Sequence, residues 1–244
     1  MQQTQTTLGG LTCRVIDDLS DGQQPRLIAV LCHGFGAPGT DLVSLGPELM
    51  RERPELASCV RFIFPEAPLS LDAIGMFGGR AWWHLDVAKL NAAIESDDFR
   101  NQRNDLPEGL TEATAMLSSL IDEVCEQTGL PMSRIVLGGF SQGSMLATDV
   151  ALRLAEPPAG LCIWSGTLLC EAEWRERAKN QQPFPVLQSH GRQDPLLPFA
   201  AAEWLRDLLS ENGMPVEFLP FDGPHTISYE SMKQYAELLV RVCG

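Results

Sequence analysis

The run Arg26 to Cys32, RLIAVLC, is continuously apolar after its first residue, which suits a strand buried on both faces of a sheet. Such a strand is paired in parallel through crossover segments, so helices must alternate with strands along the chain. The sequence has that rhythm. Thr12 to Ile16 is a candidate edge strand, Asp41 to Arg53 has helical spacing with Leu42, Leu45 and Leu49 on one side, and Val60 to Phe64 (VRFIF) returns as strand. Leu110 to Gln127 is an amphipathic helix ended by Gly129 and Pro131. Strands are then expected at Arg134 to Gly138, Gly160 to Trp164, Val186 to Ser189 and Val216 to Leu219, and helices at Gln142 to Ala155, Phe199 to Glu211 and Thr226 to Val242. The class implied is α/β, with a mainly parallel central sheet and helices on both faces.

No internal repeat, low-complexity segment or linker divides the chain, and 244 residues, 44% of them hydrophobic, suffice for a single domain over 1–244. Between Pro65 and Pro107 the pattern loosens into turn formers mixed with large apolar residues, then a charged stretch, so a loop or lid-like region is expected around 65–107. The formal charge of −14 argues against nucleic acid as a partner and against the anionic face of a membrane. Seven cysteines without close pairing fit buried thiols in a reducing compartment. The N-terminal MQQTQTTLGG has no export signal and no apolar run approaches a membrane span, so the expectation is a cytoplasmic monomer or homodimer without stable membrane association.

Chemistry enters at Ile135 to Leu146, IVLGGFSQGSML, where Gly139-Phe140-Ser141-Gln142-Gly143 has the form G-x-S-x-G. In a nucleophile elbow the serine sits on a strained turn between strand and helix, and the flanking glycines remove side chains that would clash there. The apolar run before it and the helical pattern after it supply that setting. The plainer alternative is an ordinary glycine-rich connection.

A serine hydroxyl needs a base. Of the four histidines, His33 ends the strand-like run in CHGFG, His84 lies in AWWHLD, and His190 ends a strand in QSHGRQD. His225, in the turn between the last strand and the closing helix, is the best base. The orienting acid belongs between the serine and the histidine in the chain. Asp194, after the strand VLQSH and before Pro195, fits; Asp222 is its rival, and Asp149 and Asp207 sit inside helices. Two backbone donors would hold an oxyanion, from Gln142 and from Phe35 in the CHGFG loop, with His33 a structural residue of that loop.

LCHGFG at 31 to 36, AWW at 81 to 83, GGFSQGS at 138 to 144, HGRQDPLLP at 190 to 198 and GPHTIS at 223 to 228 span most of the chain. In that order they resemble the phospholipase/carboxylesterase family of small serine esterases, which includes the acyl-protein thioesterases and has the α/β-hydrolase fold. The resemblance implies catalytic roles for Ser141, Asp194 and His225 and an oxyanion hole at the amides of Phe35 and Gln142. Ser144 and Pro224 stand where the family commonly has glycine, AWWHLD replaces a Trp-Phe-Asp run, and residues 86–107 match no motif.

The expected reaction is acyl transfer through an acyl-enzyme, cleaving a carboxylic ester or thioester of small to medium size, with no metal or organic cofactor. Lysophospholipase and acyl-protein thioesterase activities are the alternatives within the family, and a non-catalytic ligand-binding protein is the alternative outside it. Because the base must be neutral and free imidazole has a pKa of about 6.5, activity should fall in acid. Met76, Phe77, Trp82 and Trp83 are expected to line an acyl-chain site, with Met76 and Phe77 as a lip hinged at Gly75, Gly78 and Gly79. Core packing is an equal alternative for the tryptophans.

Overall fold

The computed structural model describes residues 1–85 and 106–244, so most of the region without a motif lies outside the described residues. Ten strands are described: β1 (Gln2–Leu8), β2 (Leu11–Asp17), β3 (Leu27–Cys32), β4 (Val60–Pro65), β5 (Leu69–Ser70), β6 (Arg80–Ala81), β7 (Ile135–Phe140), β8 (Gly160–Trp164), β9 (Val186–Gly191) and β10 (Val216–Phe221). With them are α1 (Leu45–Glu52), α2 (Leu110–Thr128), α3 (Gln142–Arg153), α4 (Glu171–Asn180), α5 (Phe199–Glu211) and α6 (Tyr229–Cys243). Eight strands form one sheet in the order β1-β2-β4-β3-β7-β8-β9-β10, while β5 and β6 make a separate two-stranded ribbon. From β4 to β10 across the sheet every pairing is parallel; only β1 with β2 and β2 with β4 are antiparallel.

All six residues of β3 are buried, as a strand with two covered faces requires. Ile28, Val30 and Cys32 point into a core closed by α2, α3, α4 and α5, and Leu27, Ala29 and Leu31 into a second core closed by α1 and α6. Sheet polarity then gathers the C-terminal ends of β3, β7, β8 and β9 at one edge of the layer, where the loops carrying residues 33–36, 141, 165 and 194 begin.

Several boundaries differ from expectation, each for a local reason. Thr12–Ile16 is not the edge: β2 is the second strand, and the edge is β1, whose QQTQTT is exposed and so has no apolar alternation to mark it. The first helix begins at Leu45 rather than Asp41, because Pro47 has no N–H to bond Val43 and can lie only in a first turn. The last helix begins at Tyr229, where Ser228 Oγ accepts the Ser231 N–H at 3.1 Å and caps it. α4 was not expected; its EAEWRERAKN sequence buries only Trp174 and Ala178, one side chain per turn.

The central helix α3 is buried from Gln142 to Leu152, Asp149 included. That carboxylate accepts from Thr114 Oγ1 (2.7 Å), Trp174 Nε1 (2.9 Å), and Arg153 Nε (2.6 Å) and Nη2 (3.1 Å), linking α2, α3 and α4. A buried charge is tolerable only when satisfied in this way. Asp149→Ala, which strands the donors of Thr114 and Trp174, should lower stability by about 3 kcal/mol, read as a fall in the urea midpoint at unchanged m-value.

Candidate active site

Between β7 and α3 the chain turns at Ser141 with φ 52° and ψ −122°, a conformation L-residues rarely adopt. A Cβ at either Gly139 or Gly143 would run into the carbonyl oxygen of Cys32 at the end of β3, so both positions must be glycine. The turn is held by Ser141 N–H donating to Trp164 O (2.8 Å), and by Ser144 N–H (3.0 Å), Met145 N–H (3.2 Å) and Ser144 Oγ (2.7 Å) donating to Ser141 O. Ser144 therefore buttresses the turn from within.

His225 lies against this turn, its ring 4.7 Å from that of Phe140, the residue before Ser141. Its loop is tied to the end of β8 by Ser165 Oγ donating to Thr226 O at 3.1 Å. His225 Nδ1 meets Asp194 Oδ2 at 2.6 Å, which leaves Nε2 as the nitrogen available to a serine hydroxyl. The rival Asp222 has an 84% exposed side chain and pairs instead with Arg192 at 3.8 Å.

The Asp194 carboxylate is enclosed. Oδ1 accepts the N–H groups of Leu196 (2.8 Å) and Leu197 (2.9 Å), and Oδ2 is shared by His225 and by His190 Nε2 at 3.1 Å. Burial alone would raise its pKa, but the hydrogen bonds from His190, His225 and Leu197 outweigh it and hold the carboxyl well below the usual carboxylate range. His33 is buried: Nδ1 meets Gly34 O at 2.9 Å, Nε2 accepts the Ala67 N–H at 3.1 Å, and burial pushes its imidazole down. His84 is exposed.

The CHGFG loop abuts the turn. A methyl on Gly34 would lie 3.4 Å from Ser141 Cβ and 3.2 Å from the Phe140 ring, so the loop passes beside the serine turn just before Phe35. The Gln142 side chain was missed in the sequence. Its Oε1 accepts the Trp82 N–H and its Nε2 donates to Trp83 O, both at 2.9 Å, while Trp82 Nε1 donates to His33 O at 2.9 Å.

Trp82 and Trp83 are buried in the first core, 1% and 2% exposed, which is the core-packing alternative for these residues, and their polar groups bond Gln142 and His33. Met76 and Phe77 lie at the tip of the β5–β6 ribbon. Phe77 is 87% exposed, and the Met76 methyl occupies the space beside Gly36. The tip is a bonded turn, with Met76 N–H on Leu71 O (3.2 Å), Gly78 N–H on Asp72 Oδ1 (2.8 Å) and Gly79 N–H on Met76 O (2.9 Å).

A family model described as Phospholipase/Carboxylesterase matches residues 13–242. The chain is similar to acyl-protein thioesterase 1 of Eremothecium gossypii (33% identical, covering 84% of this chain and 83% of the relative) and of Neurospora crassa (28%, 86% and 84%). Among solved structures it shares its fold with esterase PE8 (TM-score 0.77, 24% identical, 99% and 100% covered). It also shares it with a carboxylesterase from Mesorhizobium loti (TM-score 0.71, 16% identical, 98% and 99% covered).

Asp194→Asn removes the ionised acceptor of these donors and should cost about 2 kcal/mol of stability at neutral pH. Because the folded carboxyl is depressed, its contribution is present above the unfolded value near 4 and lost as pH falls through the folded one. Melts of both proteins should therefore converge progressively below about pH 4.

Proposed function

The chain belongs to the phospholipase/carboxylesterase family and is an ester-hydrolysing enzyme, and we propose that it cleaves carboxylic ester or thioester bonds of small to medium acyl substrates with Ser141, His225 and Asp194 as its catalytic triad. The observation that carries this reading is the 2.6 Å bond between His225 Nδ1 and a buried, ionised Asp194, next to a serine in a positive-φ turn.

In the proposed sequence His225 Nε2 takes the Ser141 hydroxyl proton as Oγ attacks the acyl carbon. The carbonyl oxygen, now negative, is held by the N–H groups of Phe35 and Gln142. The tetrahedral adduct collapses, the bond to the leaving oxygen or sulfur breaks, and that atom takes the proton from His225. Water then repeats the cycle on the acyl-enzyme and releases the acid. Asp194 fixes the His225 ring and stabilises the imidazolium formed in each half.

Met76 and Phe77 are proposed to receive the acyl chain at the rim. A second reading, hydrolysis of an acyl group carried by a protein or a lysophospholipid, is favoured by the exposed apolar tip of Ile74, Met76 and Phe77, because such a face suits a chain presented from a large carrier. The seven free cysteines support a reducing, cytoplasmic setting, and no helix among the described residues is long and apolar enough to cross a membrane.

A fluorophosphonate should label the wild type and not Ser141→Ala, which should lose about three orders of magnitude or more in kcat. No labelling of the wild type would favour a non-catalytic binding role, and equal labelling of both would remove Ser141 as the nucleophile. Across acetyl to dodecanoyl esters and thioesters, Phe77→Ser should lower kcat/KM by about tenfold for the long chains and by less for acetyl. A loss independent of chain length would remove Phe77 from the acyl site.

A further inference from the structure

His190 is the one histidine that the proposed reaction does not use and yet touches the triad. It is the penultimate residue of β9, wholly buried, four residues before Asp194. Its Nε2 lies 3.1 Å from Asp194 Oδ2 and 2.9 Å from Leu197 O. Both neighbours are acceptors, so Nε2 must carry the proton. Among the described residues Nδ1 is buried with no hydrogen-bond partner, so the ring's polar contacts are all made through Nε2. Leu197 in turn donates its N–H to Asp194 Oδ1, so its peptide links the two side chains, which also meet directly at 3.1 Å.

We propose that His190 is a positioning residue for the acid of the triad, a second imidazole donor on Asp194 Oδ2 that fixes the carboxylate and weakens its hold on protonated His225. The proposal rests on the triad reading above. Its physics is competition for one oxygen. A carboxylate accepting an additional N–H is less basic, and a less basic partner stabilises an adjacent imidazolium less.

Among the described residues, few ionised groups are placed around the pair. Arg192 lies over the Phe199 ring at 5.0 Å, Phe199 is 6.1 Å from the His190 ring, and Arg192 is itself paired with Asp222. Phe140 and Ser141 from the end of β7 and Ser165 from the end of β8 bring no charge, and buried His33 is used up in its own loop. A histidine that merely packs, bonding Leu197 O, would affect stability and leave the acid limb of the rate profile alone.

The test is kcat/KM for p-nitrophenyl butyrate between about pH 5 and 9 in wild type, His190→Leu and His190→Gln, together with ¹⁵N NMR of the wild-type imidazoles. His190→Leu should lose about tenfold in kcat with little change in KM, and its acid limb should move up by about half a pH unit. His190→Gln, whose amide can donate to Asp194 Oδ2, should recover most of both. The wild-type His190 resonance should report a proton on Nε2. A folded His190→Leu whose pH profile superimposes on wild type overturns the proposal. So does a proton on Nδ1 instead of Nε2, a result that needs no variant to fold. A wild type that neither hydrolyses esters or thioesters nor labels with fluorophosphonate fails the triad reading itself, which the NMR result distinguishes from failure at His190 alone.

Discussion

The carbonyl oxygen of Cys32, at the end of the third strand, is the point on which the site is assembled. The nucleophile turn comes so close to it that neither residue 139 nor residue 143 has room for a Cβ, and Ser141 between them is pushed to φ 52°. A non-glycine residue in such a region costs about 1–3 kcal/mol and persists only where its surroundings over-determine it. Here they do: the Ser141 N–H is taken by Trp164 of β8, and its carbonyl receives two backbone donors and the Ser144 hydroxyl. Three neighbouring strands and α3 are thereby locked at one level. The His33–Gly36 loop continues directly from Cys32, so the same constraint that strains the serine also sets where the Phe35 peptide lies.

Two buried carboxylates in this chain show how one kind of burial serves two ends. Asp149 and Asp194 are both enclosed and both accept from several donors. Asp149 is paired with Arg153, whose charge does not change under ordinary conditions, so the cluster binds helices together and does nothing else. Asp194 faces imidazoles. Its negative charge is only partly compensated while His225 is neutral, and becomes fully compensated when His225 takes a proton. Enclosure that would be a stability cost at Asp149 without its arginine becomes, at Asp194, a preference for the charge that the proposed reaction develops.

The sheet was legible because its central strands are buried on both faces, which writes an unbroken apolar run such as RLIAVLC that needs no partner to be recognised. β1 and α4 were not, since QQTQTT has a wet edge and EAEWRERAKN offers the core one residue per turn; both are held by tertiary pairing that a local pattern does not record. Ser141, Asp194 and His225 could be named from their order in the chain. The choice between Asp194 and Asp222 turns on which carboxylate His225 meets: Asp194 at 2.6 Å, while Asp222 lies beside Arg192. Roles that depend on a side chain crossing to a distant segment were invisible: Gln142 bonding Trp82 and Trp83 some 60 positions away, and the His190 ring on Asp194, for which the only trace is a spacing of four in HGRQD.

Those crossings also determine how far substrate selection can vary without disturbing the reacting centre. The ribbon that presents Met76 and Phe77 is fastened to the loop after β3 by two backbone bonds, Gly36 N–H to Arg80 O at 2.9 Å and Arg80 N–H to Ala37 O at 3.1 Å. The Arg80 guanidinium continues the fastening to Ala67 O (2.9 Å) and Pro68 O (3.2 Å). Just beyond, Gln142 grips the next two residues from the nucleophile side. A change at Met76, which fills the space beside Gly36, is therefore transmitted to the Phe35 peptide one residue away. Phe77 projects from the same turn into solvent. In the proposed reaction a change at Phe77 would alter chain-length preference alone, whereas a change at Met76 would also act on the Phe35 peptide.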